Sequence, residues 1–214
     1  MRQAPLLLSY PFVVDADAVE IRVLGCLIEK QRTTPDAYPL SLNALRLACN
    51  QTTNRDPVVD YDERTIKTAL ERMSDRGWTR FASGASSRAL KYRHLLDEAL
   101  GLSGEELALL AVLMLRGPQT LGELKQRSER LHRFDSLEEI SRALDGLAER
   151  ELAVRLERRP GQKEDRYAQL LGGDGGEHIA APATEDGGDR IGALEQRIAR
   201  LEHSFEELRA QLDR

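Results

Sequence analysis

Cysteine is scarce in this sequence, and its scarcity excludes several classes of protein. The 214 residues include two cysteines, Cys26 and Cys49, and neither belongs to a Cys-x-x-Cys motif. A disulfide framework is therefore not expected, and a reducing cytoplasm is the simpler setting. The two cysteines and the four histidines also lack the spacing of a zinc site. We predict neither a metal nor another cofactor.

Long apolar runs are missing as well. The longest covers nine residues, 107–115, which is about half of the length that spans a bilayer. The early stretch LLLSYPFVV loosely resembles a signal peptide, but Pro11 interrupts it, and Asp15 and Asp17 crowd the supposed cleavage site. We therefore expect a cytoplasmic protein with no membrane partner.

A surplus of positive charge, which would suggest a nucleic-acid binder, is also absent, since the formal net charge is -5. Residues 1–101 hold 14 Lys and Arg against 13 Asp and Glu, residues 102–171 hold 12 against 13, and residues 172–214 hold 5 against 10. The last segment thus carries the whole imbalance. No phosphate-binding loop or metal motif is found either, and we predict a protein that is not an enzyme.

The sequence does contain an internal duplication. YPLSLNALRLACNQ from position 38 aligns with GPQTLGELKQRSER from position 117, and TALERMSDRGWTRF from position 68 aligns with RALDGLAERELAVR from position 142. A third, shorter match joins ALKYRH from position 89 to KEDRYAQ from position 163. Each match is weak, but the three occur in the same order. We predict two similar domains, 15–98 and 102–171.

The second copy shows its helix starts most clearly. Three times a hydroxyl residue is followed three positions later by glutamate, which is the capping-box pattern, at Ser103 and Glu106, Thr120 and Glu123, and Ser136 and Glu139. The stretch ELAVRLERRPGQKEDRYAQL then has the pattern of strand, turn and strand. Three helices followed by a β-hairpin are expected here.

The first copy repeats this order. A helix is predicted after Asp17, a second over about 41–50, and a third over about 62–76 with an apolar stripe at Ile66, Ala69, Leu70 and Met73. A hairpin around Gly84 follows. This is the order of a winged helix-turn-helix. The predicted fold is α+β, mostly α, with two tandem winged helix-turn-helix domains and a C-terminal coiled-coil helix.

The C-terminal segment has two parts. Residues 172–189 are rich in glycine and acidic residues, which indicates a flexible linker. Over 190–214 the apolar residues alternate steps of three and four, which is a coiled-coil pattern, at Ile191, Leu194, Ile198, Leu201, Phe205, Leu208 and Leu212. We predict a homodimer through this helix. The alternative is an amphipathic helix that folds back on its own domain.

Three separated segments, GCLIEKQRTTPDAYPLSLNALRLACNQTTNRDPV (25–58), MLRGPQTLGELKQRSERLHRF (114–134) and LERRPGQKEDRY (156–167), occur in an order that resembles the YceH-like family of uncharacterised bacterial proteins. The resemblance covers about 19–171. It implies a tandem winged-helix fold and implies no activity and no site residue.

The stretch ACNQTTNRDPV (48–58) raises a question of its own, because about a dozen residues separate helices that a helix-turn-helix usually joins in three or four. One interpretation is an extended loop that offers amides and Arg55 to phosphates or base edges. The other is a joint whose polar residues cap helix ends. A Cys49 nucleophile would need a histidine base, which could come only from elsewhere in the fold, from His94 or His132.

Basic residues on the third helix and the hairpins are better candidates for contacts with nucleic acid. Lys91 and Arg93 share one face of a strand, opposite Leu90 and Tyr92. The full candidate set is Asn54, Arg55, Arg64, Lys67, Arg72, Arg88, Lys91, Arg93, Arg158, Arg159 and Lys163. The other interpretation is a charged edge that prevents aggregation of sheets.

Two functions remain open. A DNA-binding regulator, with the first copy as reader and the coiled coil as dimeriser, is favoured by the basic hairpins. A scaffold that binds protein partners is favoured by the neutral domains and by the third helix of the second copy, which offers Glu138, Glu139 and Asp145 against Arg142 alone.

Overall fold

The computed structural model describes residues 15–82, 90–158 and 164–172. A similar order of elements occurs twice in them, and we call the two stretches the first and the second half. The first half contains α1 (Ala18–Thr33), β1 (Leu40–Ser41), α2 (Leu42–Cys49), α3 (Glu63–Asp75), β2 (Thr79–Ala82) and β3 (Lys91–His94). The second contains α4 (Leu96–Leu100), α5 (Gly104–Arg116), α6 (Leu121–Ser128), α7 (Leu137–Glu149), β4 (Ala153–Leu156) and β5 (Arg166–Gln169).

Side-chain caps explain where the helices begin. Asp17, Ser103 and Thr120 each accept hydrogen bonds from the first turn and are capped in return by a glutamate, so these three capping boxes are complete. Ser136 accepts from the backbone N–H of Glu139, but the Glu139 carboxylate accepts from Asp135 N at 2.8 Å instead. The predicted capping box at α7 is therefore only half formed.

Both small sheets are antiparallel. The first has the strand order β1-β3-β2, and its register places Arg80 opposite Arg93. The second pairs β4 with β5, and a bridge between Gln119 and Tyr167 ties the start of α6 to it. The short strand β1 and the helix α4 were not anticipated from the sequence, because neither is long enough to show a periodic pattern.

A continuous hydrophobic core joins the two halves. Nine consecutive residues of α5, Leu107 to Leu115, are buried, because α1 covers one side of this helix while α6, α7 and β5 cover the others. The closest approach is at Gly25 of α1, where a Cβ atom would lie 2.9 Å from Leu115 Cγ and 3.2 Å from Met114 Cβ. A glycine is therefore what lets α1 and α5 approach each other so closely.

The α+β class with predominant helix is confirmed. The predicted linker and coiled-coil helix lie outside the described residues. Among the helices that the structure does describe, none combines the length and the hydropathy needed to cross a membrane.

Candidate nucleic-acid interface

The first hairpin presents positive charge on one face of its sheet. Arg80 and Arg93 lie opposite each other in the register, and Lys91 is two residues from Arg93, so the three side chains share a face. We call this set, Arg80, Lys91 and Arg93, the basic hairpin face. Tyr92 and His94 point the other way and are buried. The prediction that Lys91 and Arg93 share a face opposite Tyr92 is confirmed, and Arg80 is added to it.

The charge of the basic hairpin face is weakly compensated. Like charges placed directly opposite each other in a sheet are unfavourable, which applies to Arg80 and Arg93. Arg93 lies 3.6 Å from Glu98, but both side chains are exposed, and a pair of this kind contributes little. Within the described residues, Arg80 and Lys91 have no ion-pair partner. A bound anion would relieve this repulsion.

Helix α3 offers two further cations, Arg64 and Lys67, which are exposed. Lys67 lies 3.8 Å from Glu71 of the next turn. Arg72, another predicted contact, is placed differently: its Nε lies 3.1 Å from Glu20 Oε1, and it also pairs with Asp17. Because Glu20 is buried, Arg72 neutralises a carboxylate inside the protein and links α3 to α1. Its side chain is still about half exposed, so its contact with nucleic acid stays a prediction.

Arg55 lies in the interior of the protein, and this position corrects the prediction that it contacts nucleic acid. Its guanidinium is fully buried and donates to both carboxylate oxygens of Glu29, at 3.0 and 2.6 Å, while its Nε donates to Ala48 O at 3.1 Å. Burial alone would raise the pKa of Glu29, but the hydrogen bonds and charge of Arg55 outweigh burial and hold that pKa below its usual value. Arg55 cannot reach a phosphate outside the protein from this position.

The loop 50–62 that contains Arg55 is a joint between α2, α3 and α5. Buried Arg22 donates to Cys49 O at 3.2 Å and to Pro57 O at 2.6 Å, so a second guanidinium holds the loop from within. The loop also contacts the second half, where Asp56 N donates to Leu115 O at 2.8 Å. Asn54 is exposed and accepts a hydrogen bond from Arg116. The stretch ACNQTTNRDPV thus forms a joint in which Arg55 is an interior residue, while Asn54 stays on the surface.

The second hairpin is better compensated than the first. Arg155 and Arg158 both pair with Asp165. Three predicted contacts, Arg88, Arg159 and Lys163, lie outside the described residues. On α7 the residues Glu138, Arg142 and Asp145 are exposed, so that its outer surface carries more negative than positive charge, as the sequence suggested.

The cysteines and His94 lie in the interior. Cys26 and Cys49 are free and buried, and contact with Cys26 together with burial raises the pKa of the Cys49 thiol. The His94 ring does not serve Cys49, since its Nε2 lies 2.7 Å from Gln31 Oε1. Burial lowers the pKa of His94 to about 4, so the ring is neutral at pH 7 even though Asp97 is 3.5 Å away.

One group of potential metal ligands was missed by sequence reasoning. Glu105, His132 and Glu139 place one ligand atom each within 4.8 Å of one another, and all three are half-buried. Two carboxylates and an imidazole are ligands that zinc and similar divalent ions accept. The three residues follow no metal-binding spacing, and only the packing of α5, α7 and the turn after α6 brings them together.

Comparison with known proteins shows which family the chain resembles. A profile of the family described as "Protein of unknown function, DUF480" matches residues 16–162. A "UPF0502 protein" of Solibacter usitatus is 49% identical over 198 residues, which cover 90% of this chain and 96% of the relative. One from Stenotrophomonas maltophilia is 48% identical over 94% of both chains. Another, from Pseudomonas aeruginosa, is 53% identical over 76% of this chain and 73% of its own.

Proposed function

The chain belongs to the DUF480 family of uncharacterised bacterial proteins, as its sequence resemblance indicated, and from this premise we propose that it is a tandem winged-helix protein that binds DNA and has no enzymatic activity. The fold part of the proposal is supported by the order of elements. In each half three helices precede a β-hairpin, α1 to α3 before β2 and β3, and α5 to α7 before β4 and β5.

The observation that carries the DNA-binding part is the basic hairpin face. Arg80, Lys91 and Arg93 lie on one side of an antiparallel pair, and Glu98 is the one described carboxylate that pairs with any of them. Phosphate oxygens spaced along a nucleic-acid backbone are the natural counter-charge for such a row. The exposed Arg64 and Lys67 of α3 supply further positive charge in the same half.

Fluorescence anisotropy with labelled genomic DNA fragments tests the proposal. Replacing Lys91 and Arg93 by alanine should weaken binding and reduce the slope of log affinity against log salt by up to about two, because each lost phosphate contact removes roughly 0.9 from that slope. Arg133 and Arg142, exposed in the second half, provide the control. Their double alanine variant changes the net charge equally and should retain the parent slope. Equal slopes in the two double variants would contradict the proposal.

A scaffold for protein partners is the second candidate, and the acidic outer surface of α7 favours it. The second hairpin agrees with this view, because Asp165 compensates both Arg155 and Arg158. Under this alternative, charge reversal at Glu138 and Asp145 would remove protein partners captured from a lysate without changing DNA affinity. Loss of DNA affinity in that variant would argue against a separate protein-binding role of α7.

We propose that residues 190–214 form a dimer, which would present two basic hairpin faces to one duplex, as paired half-sites require. A DNA partner places the protein in the cytoplasm of a bacterial cell.

A further inference from the structure

A cleft of about 650 Å³ lies between the two halves, outside the basic hairpin face. Its walls are the end of α1, the loop residues Gln51, Thr53 and Asn54, the end of α5, and α6 with the turn after it. Its volume is in the range of small-molecule sites, roughly 300–1,000 Å³. We propose that this cleft binds a small phosphate-bearing molecule, a site that goes beyond the proposed DNA binding and does not depend on it.

Four cationic side chains line the cleft: Lys30, Arg116, Arg127 and Arg130. The one acidic residue among its described lining residues is Glu29, and both carboxylate oxygens of Glu29 are bound by Arg55. Arg55 belongs to the protein interior and does not line the cleft. Arg55, on the interior side, thus neutralises the single negative charge of the wall, that of Glu29. The four cations that line the cleft therefore give it an excess of positive charge.

Arg116 is the centre of this arrangement. Its side chain is half-buried, and it donates a hydrogen bond to a neutral partner, the amide oxygen of Asn54. No described carboxylate forms an ion pair with Arg116 or Arg130, whereas Arg127 lies 3.3 Å from Glu123 and Lys30 lies 3.6 Å from Glu29. Burial, followed by the charges of Arg127 and Arg55, lowers the pKa of Arg116. A bound anion would offset both of these effects.

Neutral polar groups complete the site. The uncharged polar residues of the lining are Thr33, Thr34, Gln51, Thr53, Asn54 and Gln126, while Val112 and Leu115 provide apolar wall. The hydroxyls of Thr33 and Thr34 donate to Glu29 O and Lys30 O, so only their lone pairs remain available to a ligand. Guanidinium groups bind phosphate through paired hydrogen bonds, and hydroxyls and amides can bind the uncharged remainder of a metabolite. The volume of the cleft suits a small molecule.

The site also has a consequence for the two halves. Lys30 and the loop residues belong to the first half, whereas Arg116, Arg127 and Arg130 belong to the second. A ligand that contacts both walls therefore stabilises their present relation. Because it binds the folded chain and not the unfolded one, it raises the unfolding temperature.

Titration calorimetry of the full chain with inorganic pyrophosphate, at an ionic strength kept constant with sodium chloride, tests the proposal. We expect saturable binding. The variant Arg116→Gln with Arg130→Gln should bind about tenfold more weakly or worse, since a hydrogen bond to a charged group contributes roughly a factor of ten. The control Arg133→Gln with Arg142→Gln has the same net charge and lies outside the cleft, so it should bind like the parent.

The unfolding temperatures of the parent and the variants show whether weaker binding results from a failure to fold. In the absence of ligand, the variant Arg116→Gln with Arg130→Gln could unfold at a much lower temperature than the parent. The variant Lys30→Gln, which changes only the cleft margin, then takes its place in the calorimetry and should bind pyrophosphate several-fold more weakly than the parent. Absence of saturable pyrophosphate binding by the parent overturns the proposal, as do equal affinities in the cleft and control variants. Unchanged pyrophosphate affinity with weaker DNA binding in the cleft variant would also overturn it, and would assign these arginines to DNA.

Discussion

At the scale of single residues, the most informative side chains are the buried cations. Arg22 and Arg55 are both interior, and each holds one backbone carbonyl at the end of α2 and one in the loop that follows it. The sequence did not distinguish them from surface arginines, because burial of a charge depends on a partner that folding brings from another element. Glu29 of α1 is that partner for Arg55, 26 residues away. Lys91 and Arg93, by contrast, could be assigned to one strand face from alternation alone.

Removal of the Arg55 guanidinium should destabilise the protein strongly. In Arg55→Ala the Glu29 carboxylate loses its bidentate partner, and two backbone carbonyls, Ala48 O in α2 and Asn54 O in the loop, lose a donor. We expect the free energy of unfolding to fall by about 3 kcal/mol, the low end for a broken buried pair, because Glu29 retains some contact with solvent. Urea denaturation followed by circular dichroism measures the change.

Arg127→Ala is the matched control for this prediction. It removes an arginine from a partly exposed pair with Glu123 on α6 and should cost no more than about 0.5 kcal/mol. A loss below 1 kcal/mol in Arg55→Ala, comparable to the control, would mean that the loop is not held by this ion pair.

His94 should make stability depend on pH in the weakly acidic range. Its pKa in the folded protein is about 4, below the ordinary value of 6.5, so the unfolded chain binds more protons between these values. The stability that the neutral ring provides is therefore complete above about pH 6.5 and is lost as the pH falls towards 4, by up to about 3 kcal/mol.

Urea denaturation of the parent and of His94→Gln, at several pH values between 7 and 4.5, checks this dependence. The glutamine side chain does not titrate, so the difference in stability between the two proteins should shrink steadily with falling pH. A constant difference across this range would show that His94 is already protonated, or that its environment does not distinguish the two forms.

At the scale of elements, local sequence signals predict where helices and strands begin, whereas the contacts between them depend on packing. The starts of α1, α5 and α6 were predicted, because a capping box requires only residues three positions apart. The hairpin strands were predicted from alternation. The contact between α1 and α5 was not, because an all-apolar helix such as α5 indicates burial without naming what covers it. The cleft and the group of Glu105, His132 and Glu139 could not be predicted either, because both depend on which elements pack against each other.

Gly25 provides a test of the α1 and α5 contact. In Gly25→Ala the new methyl group meets Leu115 Cγ and Met114 Cβ, atoms that a packed helix cannot easily move. Alanine would otherwise improve a helix by up to about 1 kcal/mol, but overpacking costs typically 1–3 kcal/mol. We expect net destabilisation of about 1 kcal/mol in thermal or chemical unfolding.

Gly122 of α6 has open space at its Cβ position and serves as the comparison. Gly122→Ala should be neutral or stabilising, since the helix gains and nothing is displaced. If both alanine variants were stabilised to the same extent, α1 and α5 would be farther apart than the contacts at Gly25 indicate.

At the scale of the whole molecule, the proposed function depends on how charge is distributed along the chain. The overall charge of -5 hides a hairpin face of three cations and a cleft of four, because the acidic excess resides in residues 172–214. Composition alone therefore argued against nucleic acid, while the placement of individual residues supports it. The domain boundaries, 15–98 and 102–171, stay a prediction. Because α1 and α5 share one hydrophobic core, the measurement that tests these boundaries is whether each half folds on its own.

The dimer is a prediction from the heptad pattern of residues 190–214. Ile198 and Leu201 occupy the middle of that pattern, so Ile198→Glu with Leu201→Glu should convert a dimer into a monomer while leaving the circular dichroism of the rest intact. Light scattering coupled to gel filtration measures the mass. Ala193→Glu with Ala199→Glu, which places the same charges off the apolar pattern, should remain dimeric. A parent that is monomeric at tens of micromolar would contradict this assignment.

The affinity of the intact protein for duplex DNA, measured over a series of salt concentrations, tests the central claim most directly. If the basic hairpin face contacts phosphates, the logarithm of the association constant should fall linearly with the logarithm of salt concentration, with a slope of about -3 or steeper for Arg80, Lys91 and Arg93. Binding that is absent at low ionic strength, or that does not respond to salt, would contradict the account.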